Sequence, residues 1–371
     1  MKNVLQVMPE FGLAGAETMC ESLCYQLQKS GKYNVIVTSL FDFHSPITER
    51  MEKSGLKIIY LNKKPGIDIS LIHKLYKVMK KYNIDIVHTH RYVMQYAIPA
   101  AIMAGVKTRI HTIHNIATEE VDKLRRKIAC VFYKYCNVIP VSISPLVQKT
   151  VMKEYHFSEK ETPIVYNGSD LNKCHVKKNY QVSNKILFIH IGRFNLAKNH
   201  SMIIDAVEVL KNKGYDFKIN LIGGAGNESE IKENVKKRNL EEYVNFCGLQ
   251  SNVYPFLYEA DCFILPSLYE GMPISLVEAM GSGLPIIASA VGGIPDMIDN
   301  LKSGLLIKPN VNELVVAMEK MIRDEKMRAA LGHCALENAK RFSAEQMFCG
   351  YDLLYSNNNY GNKYNPNTAM D

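Results

Sequence analysis

At 371 residues, with 47% hydrophobic and 22% charged residues, the chain is long enough for two ordinary domains with full cores. Its longest uninterrupted apolar stretch, near Ile98 to Met103, falls far short of the roughly 20 residues of a spanning helix, and the N-terminus runs straight into a strand-like Asn3-Val4-Leu5-Gln6-Val7-Met8, so neither a membrane anchor nor a signal peptide is expected. The nine cysteines form no Cys-x-x-Cys pair and no Cys/His cluster at zinc spacing, which predicts reduced thiols and a cytoplasmic chain.

The net charge of +8 is unevenly placed: residues 1–180 hold 26 Lys/Arg against 15 Asp/Glu, whereas residues 181–371 hold 19 against 22. The excess lies on helix-like segments such as His73–Lys81 and Lys123–Ile128. These read either as solvated helix faces or as a surface for anionic lipid.

Apolar strand-like runs alternate with helix-like periods throughout, which predicts doubly wound parallel sheets, and the length accommodates two. In the first half strands are expected at Asn3–Met8, Asn34–Ser39, Lys57–Leu61, Ile84–His88, Arg109–Ile113 and Val138–Val141, with helices at Glu17–Ser30, Ser70–Tyr82 and Lys123–Tyr135. The domain so defined spans residues 1–170. A polar stretch with no buried period, 171–184, reads as a linker. In the domain that follows, 185–343, strands are expected at Ile186–Ile191, Lys218–Ile222, Val244–Cys247, Cys262–Leu265, Pro285–Ala288 and Leu305–Ile307. Helical spacing of apolar residues returns at Ala344–Leu354, and the low-complexity tail 356–371 is expected to be mobile.

Chemistry concentrates where strands end, because ligands of open parallel sheets bind at the carboxyl edge. Strand Ile186–Ile191 runs into Gly192-Arg193-Phe194-Asn195-Leu196-Ala197-Lys198-Asn199, which sets a guanidinium and an ammonium just past that edge. Two cations so placed can stabilise the charge that develops on a departing diphosphate. Strand Cys262–Leu265 runs into Pro266-Ser267-Leu268-Tyr269-Glu270-Gly271-Met272-Pro273-Ile274-Ser275-Leu276-Val277-Glu278. Pro273 is expected as the first helical residue, which leaves the N–H groups of Met272, Ile274 and Ser275 to an anion, with the helix dipole adding roughly half a positive charge. Glu270 in the loop and Glu278 on the helix can then accept bonds from hydroxyls on either side of that anion, a pattern suited to a nucleotide sugar.

The run from Pro266 to Pro285 resembles the E-x7-E signature of the family 4 retaining glycosyltransferases, over about twenty consecutive positions. The Gly-Arg-Phe-x-x-x-Lys-Asn run resembles the same family's diphosphate-binding motif. Further similarities follow in order: Gly223-Gly224-Ala225-Gly226, Phe246-Cys247-Gly248 and Gly292-Gly293-Ile294-Pro295-Asp296. In the first half, Gly15-Ala16-Glu17 resembles part of a Gly-Gly-Ala-Glu loop, with Ala14 where the family has its first glycine; His114 matches an active-site histidine, and Asn167-Gly168-Ser169-Asp170 matches a turn. His88, His90 and His111 read as structural histidines, with His90 alone of the three also kept beside His114 as a candidate.

The resemblance implies an α/β chain of two Rossmann-like doubly wound domains facing across a cleft, the GT-B fold, with the helix near 344–355 packed on the first domain. It implies a hexosyl- or N-acetylhexosaminyltransferase that takes its donor, a nucleoside-diphosphate sugar with uridine as the expected base, on the second domain. Arg193 and Lys198 would stabilise the leaving group, Glu270 would hold donor sugar hydroxyls, Glu278 the ribose, and His114 the sugar near the reacting centre; Gly15, Gly192, Gly223, Gly248, Gly271, Met272, Pro273, Ile274 and Ser275 would line the donor site. No metal or other cofactor is implied, there being no Asp-x-Asp motif. The expected acceptor is a lipid-linked glycan of capsular or exopolysaccharide assembly, reached by a protein peripheral at the inner face of the membrane through its basic first domain, with no nucleic acid involved. An epimerase or phosphorylase of the same fold, or a non-catalytic partner in a glycan assembly complex, are the alternatives.

Overall fold

Residues 1–182 and 184–356 are described by a computed structural model. They form two compact units, Met1–Ser169 together with the helix Ala344–Ser356, and Asp170–Ser343. Expected features of the tail beyond residue 356 lie outside the described residues; Ser356 itself closes a helix.

The first unit is built on six parallel strands: β1 (Lys2–Met8), β2 (Tyr33–Ser39), β3 (Lys57–Tyr60), β4 (Ile86–His90), β5 (Thr108–Ile113) and β6 (Val138–Ser142). Their order in the sheet is β3-β2-β1-β4-β5-β6. Helices cover both faces of such a sheet, so its strands read as continuous apolar runs rather than alternating ones; β1 is buried from Val4 to Met8. The order reverses between β1 and β4, and the crevice beyond the carboxyl ends at that switch point is where open sheets of this kind take ligands.

The second unit repeats the plan with β7 (Ile186–Ile191), β8 (Phe217–Ile222), β9 (Val244–Gly248), β10 (Cys262–Leu265), β11 (Ile286–Ser289) and β12 (Leu305–Ile307), ordered β12-β11-β10-β7-β8-β9. Its switch point falls between β7 and β10. A core centred on Phe188, Phe217, Ile219, Leu221, Ile264 and Met318 fills the space between sheet and helices.

Several expectations are corrected. The fourth strand is Ile86–His90 and not Ile84–His88, because the Ile84 N–H is taken by the Met79 carbonyl at the end of the preceding helix and pairing starts only at Ile86. Helices Pro46–Lys53, Met94–Ala104 and Pro145–Tyr155 were not anticipated. The first and last begin with proline behind a serine whose side chain accepts a backbone N–H, and the middle one is apolar on nearly every side, leaving no polar face to mark its period. The segment 171–184 is no free linker: Lys177 N–H bonds the Ser282 carbonyl, its Nζ lies 3.0 Å from Asp261, and Tyr180, buried, donates from its hydroxyl to the Gly283 carbonyl at 2.7 Å. Isolated anchors of this sort carry no periodic signal.

The helix Ala344–Ser356 buries Met347, Tyr351, Leu354 and Tyr355 in the first unit. Asp352 accepts from Tyr33 at 2.6 Å and pairs with Lys32 at 2.7 Å, and Gln26 bonds Glu345 at 3.2 Å.

Candidate active site

In the second unit the loops after β7 and β10 lie side by side at the switch point. The turn after β7 brings Lys198 Nζ to 2.5 Å from Glu270 Oε1, with the two side chains 17% and 10% exposed. Ser267 Oγ donates to the same carboxylate oxygen at 2.7 Å. The loops are fastened to each other twice more: Leu268 N–H bonds the Ala197 carbonyl at 2.8 Å, and Asn199, held in the left-handed region at φ 55°, donates through Nδ2 to the Pro266 carbonyl at 3.2 Å. The sequence separates Lys198 and Glu270 by seventy-two positions, so their pairing, and the roles of Ser267 and Asn199 beside it, were not legible there. Arg193 stands exposed on the same loop as Lys198, with no ion-pair partner among the described residues.

Two glycines explain how the loops approach so closely. A Cβ at Gly223, where φ is +153°, would run into the Gly192 carbonyl oxygen, and one at Gly292, where φ is +62°, would run into the Glu270 carbonyl oxygen. These glycines therefore brace the loops that carry Arg193 and Glu270 through their backbones. Gly248 ends β9, and its carbonyl accepts the Gly223 N–H at 3.0 Å; the Gly271 carbonyl accepts from Gly293 at 3.0 Å.

The helix after Glu270 runs Ile274–Gly281, with Pro273 as its cap and not its first residue. Pro273 is extended at ψ 119°, and its carbonyl receives the N–H of Leu276 at 3.2 Å. Met272, Pro273 and Ile274 are buried, and Ser275 Oγ ties the first turn to the Ile191 carbonyl at 3.3 Å, which docks this helix N-terminus against the end of β7. Glu278 is 8% exposed and accepts from the Tyr254 hydroxyl at 3.4 Å. His190 and His200, packed edge to face at 4.7 Å, lie just inside Lys198; burial, with Lys198 adding to it, lowers His200 to about 4.

In the first unit the carboxyl ends of β1, β4 and β5 gather the remaining candidates. Gly15 opens the helix Gly15–Lys29 and is exposed, whereas Glu17 in the same turn is buried and accepts from Arg91 at 2.8 Å. Arg91, at the end of β4, has φ 57°. His114 follows β5, and its Nε2 lies 3.1 Å from Nδ1 of His90, whose Nε2 lies 2.9 Å from Gln6 Oε1. His90 therefore stands beside His114, the two histidines that the sequence sets apart from the others; β4 and β5 are neighbours with His90 opposite Thr112, a fact of sheet order alone. His88 is buried and bonded at both ring nitrogens, and buried His111 bonds Thr89 through Nδ1 at 2.9 Å; burial lowers His111 to about 3. Burial likewise drives His114 well below the usual histidine range, with the neighbouring His90 adding to it. Glu120, not anticipated, lies beside His114 and lines a pocket with Arg91, Tyr92, Arg125 and Tyr133. Burial raises its carboxyl to about 7.

Residues 13–173 match the model of "Glycosyltransferase Family 4", and residues 174–337 that of "Glycosyl transferases group 1". The chain belongs to the family 4 glycosyltransferases. Among relatives of this glycosyltransferase, the UDP-Gal:alpha-D-GlcNAc-diphosphoundecaprenol alpha-1,3-galactosyltransferase of Escherichia coli is 27% identical over 288 residues, covering 72% of this chain and 74% of that one. The capsular polysaccharide biosynthesis glycosyltransferase CapH of Staphylococcus aureus is 25% identical over 300 residues, covering 78% and 82%. Anabaena Alr3699/HepE, solved in complex with UDP and glucose, shares the glycosyltransferase fold at a TM-score of 0.84 and 18% identity, over 96% of this chain and all of that one. No helix of the glycosyltransferase is long and apolar enough to cross a membrane, among the described residues.

Proposed function

We propose that this glycosyltransferase moves a sugar from a UDP-sugar to a glycan carried on a lipid diphosphate, with retention of anomeric configuration, in the assembly of a capsular, exopolysaccharide or similar surface glycan. The observation that carries the donor half is the Lys198–Glu270 pair at the switch point of the second sheet, with Arg193 on the same loop and a helix N-terminus beside it.

In this reading the bond from the anomeric carbon to the β-phosphate oxygen breaks while the acceptor hydroxyl attacks the same face, and its proton passes to the departing phosphate. Arg193 and Lys198 hold the developing charge, a task two cations perform without a metal ion. Lys198 meets the diphosphate while it remains beside Glu270, so one contact orients the leaving group and the sugar hydroxyls together. Ser275, Ile274 and Met272 present the helix N-terminus to phosphate, Glu278 takes the ribose, and His114 the sugar. The donor and acceptor classes follow those named for the E. coli relative, and capsular assembly that named for the S. aureus one. A lipid-held acceptor suits the basic first unit, whose helix Lys123–Tyr135 exposes Lys123, Leu124, Lys127, Val131, Lys134 and Tyr135 and would rest on an anionic inner leaflet.

Incubating the protein with a panel of uridine- and guanosine-diphosphate sugars, with and without lipid-diphosphate-linked acceptor, and measuring nucleoside diphosphate release tests the reading. Release from one uridine-diphosphate donor, abolished in Glu270→Ala, is expected. A rearranged sugar nucleotide with no release would point to an epimerase.

A further inference from the structure

A run of buried polar side chains in the first unit ends on the C-terminal helix. Tyr355 and Tyr351 are carried one helical turn apart on Ala344–Ser356. The Tyr355 hydroxyl lies 3.0 Å from Gln6 Nε2 and 2.7 Å from His88 Nδ1. Gln6 Oε1 is 2.9 Å from His90 Nε2, and His90 Nδ1 is 3.1 Å from His114 Nε2. On the other branch His88 Nε2 meets Thr112 Oγ1 at 2.7 Å, and Thr112 Oγ1 meets the Tyr351 hydroxyl at 2.6 Å. Gln6, His88, His90, Thr112 and Tyr355 are wholly buried.

Between Gln6 and His114 the chain admits two proton orders, because a carbonyl oxygen accepts, an amide nitrogen donates, and a neutral imidazole does one at each ring atom. With the Gln6 amide nitrogen toward Tyr355, its oxygen must receive a proton from His90 Nε2. His90 Nδ1 is then an acceptor, so His114 carries its proton on Nε2 and a lone pair on Nδ1. The Tyr355 hydroxyl, receiving from Gln6, donates to His88 Nδ1, and His88 Nε2 donates to Thr112. Turning the Gln6 amide over reverses the bonds from Gln6 to His114, and His114 then presents an N–H at Nδ1. That Nδ1 is enclosed and has no hydrogen-bond partner among the described residues.

We propose that Tyr355 and Gln6 are positioning residues that fix, through His90, which nitrogen of His114 bears its proton, so that the C-terminal helix sets whether His114 offers the substrate a hydrogen-bond acceptor or a donor. Burial keeps His114 neutral, which is what makes its tautomer matter. A hydroxyl of the donor or acceptor sugar, able to donate to a fixed lone pair, is the chemical partner this selects. The proposal rests on the reading of His114 as a sugar contact, while its first test does not depend on activity.

Long-range proton–nitrogen NMR on protein labelled with ¹⁵N-histidine, with the His114 signal assigned by its loss in His114→Asn, reads the tautomer directly. Wild type is expected to show a single tautomer protonated at Nε2, and Tyr355→Phe, which removes one oxygen, a mixture. Gln6→Leu breaks the next link while leaving Tyr355 bonded to His88, and it is expected to give the same mixture, so that a folding failure of one variant leaves the other to decide. A mixture in wild type, or the wild-type tautomer retained in the variants, overturns the proposal. Turnover is expected to fall about 10-fold in Tyr355→Phe with the donor KM little changed, as when one oriented hydrogen bond is lost. Scrambled tautomers with unchanged turnover would uphold the relay and remove His114 from the catalytic reading.

Discussion

Lys198 and Glu270 illustrate what a residue contributes beyond its type. As sequence they are a cation and an acid in separate motifs; in the fold they are one buried pair sharing a carboxylate oxygen with Ser267. Truncating Lys198 removes a preorganised positive charge from the proposed diphosphate site and leaves a carboxylate without its counter-ion. Lys198→Ala is therefore expected to lower turnover about 10²–10³-fold and to cost about 3 kcal/mol of stability, the size seen when one partner of a buried pair is lost. Steady-state kinetics and urea unfolding separate the two effects: Lys198→Met combined with Glu270→Gln should recover most of the stability and none of the turnover. Normal turnover in Lys198→Ala would remove it from leaving-group stabilisation. The motifs pointed to both residues; no motif encodes their contact, because the two loops become neighbours only when β7 and β10 pair.

At the scale of elements, the loops at the two switch points are fixed by backbone fit as much as by side chains. Gly292 sits against the Glu270 carbonyl at φ +62°, where an L side chain is strained by about 1–2 kcal/mol even before its Cβ meets that oxygen. Gly292→Ala should therefore displace the Glu270 loop: the donor KM is expected to rise at least 10-fold, with an unfolding midpoint lowered by less than that of Lys198→Ala. A change in stability without a change in donor binding would show that Gly292 braces the fold and not the site. Six of the strands were legible to within one residue at each end in the second unit, because buried parallel strands are apolar runs bounded by turn residues. Pro46–Lys53 and Met94–Ala104 were not, the one being short and polar and the other apolar all round. The shift of the fourth strand by two residues mattered most, since it brought His90 into the sheet beside His114.

At the scale of the whole chain, a single polypeptide makes two units of the same strand order, and the first of them is completed by residues from the far end of the sequence. The helix Ala344–Ser356 supplies the buried Met347, Tyr351, Leu354 and Tyr355. Ending the chain at Ser343 should therefore open the first unit and spare the second: limited proteolysis is expected to cut within residues 1–169 while Asp170–Ser343 survives. Resistance of both halves would show that the helix is dispensable for the fold. Composition and alternation alone determined that this is an α/β chain with two doubly wound sheets, because burial on both faces writes itself into every strand, and ordered strand-end motifs pointed to the loops proposed to carry the chemistry. Only the tertiary structure decided that Lys198 meets Glu270, that 171–184 is strapped to the second unit, and that a tyrosine near residue 355 is wired to His114. Those are contacts between segments far apart in the chain, and distance along a sequence leaves no period, cap or turn by which to read them.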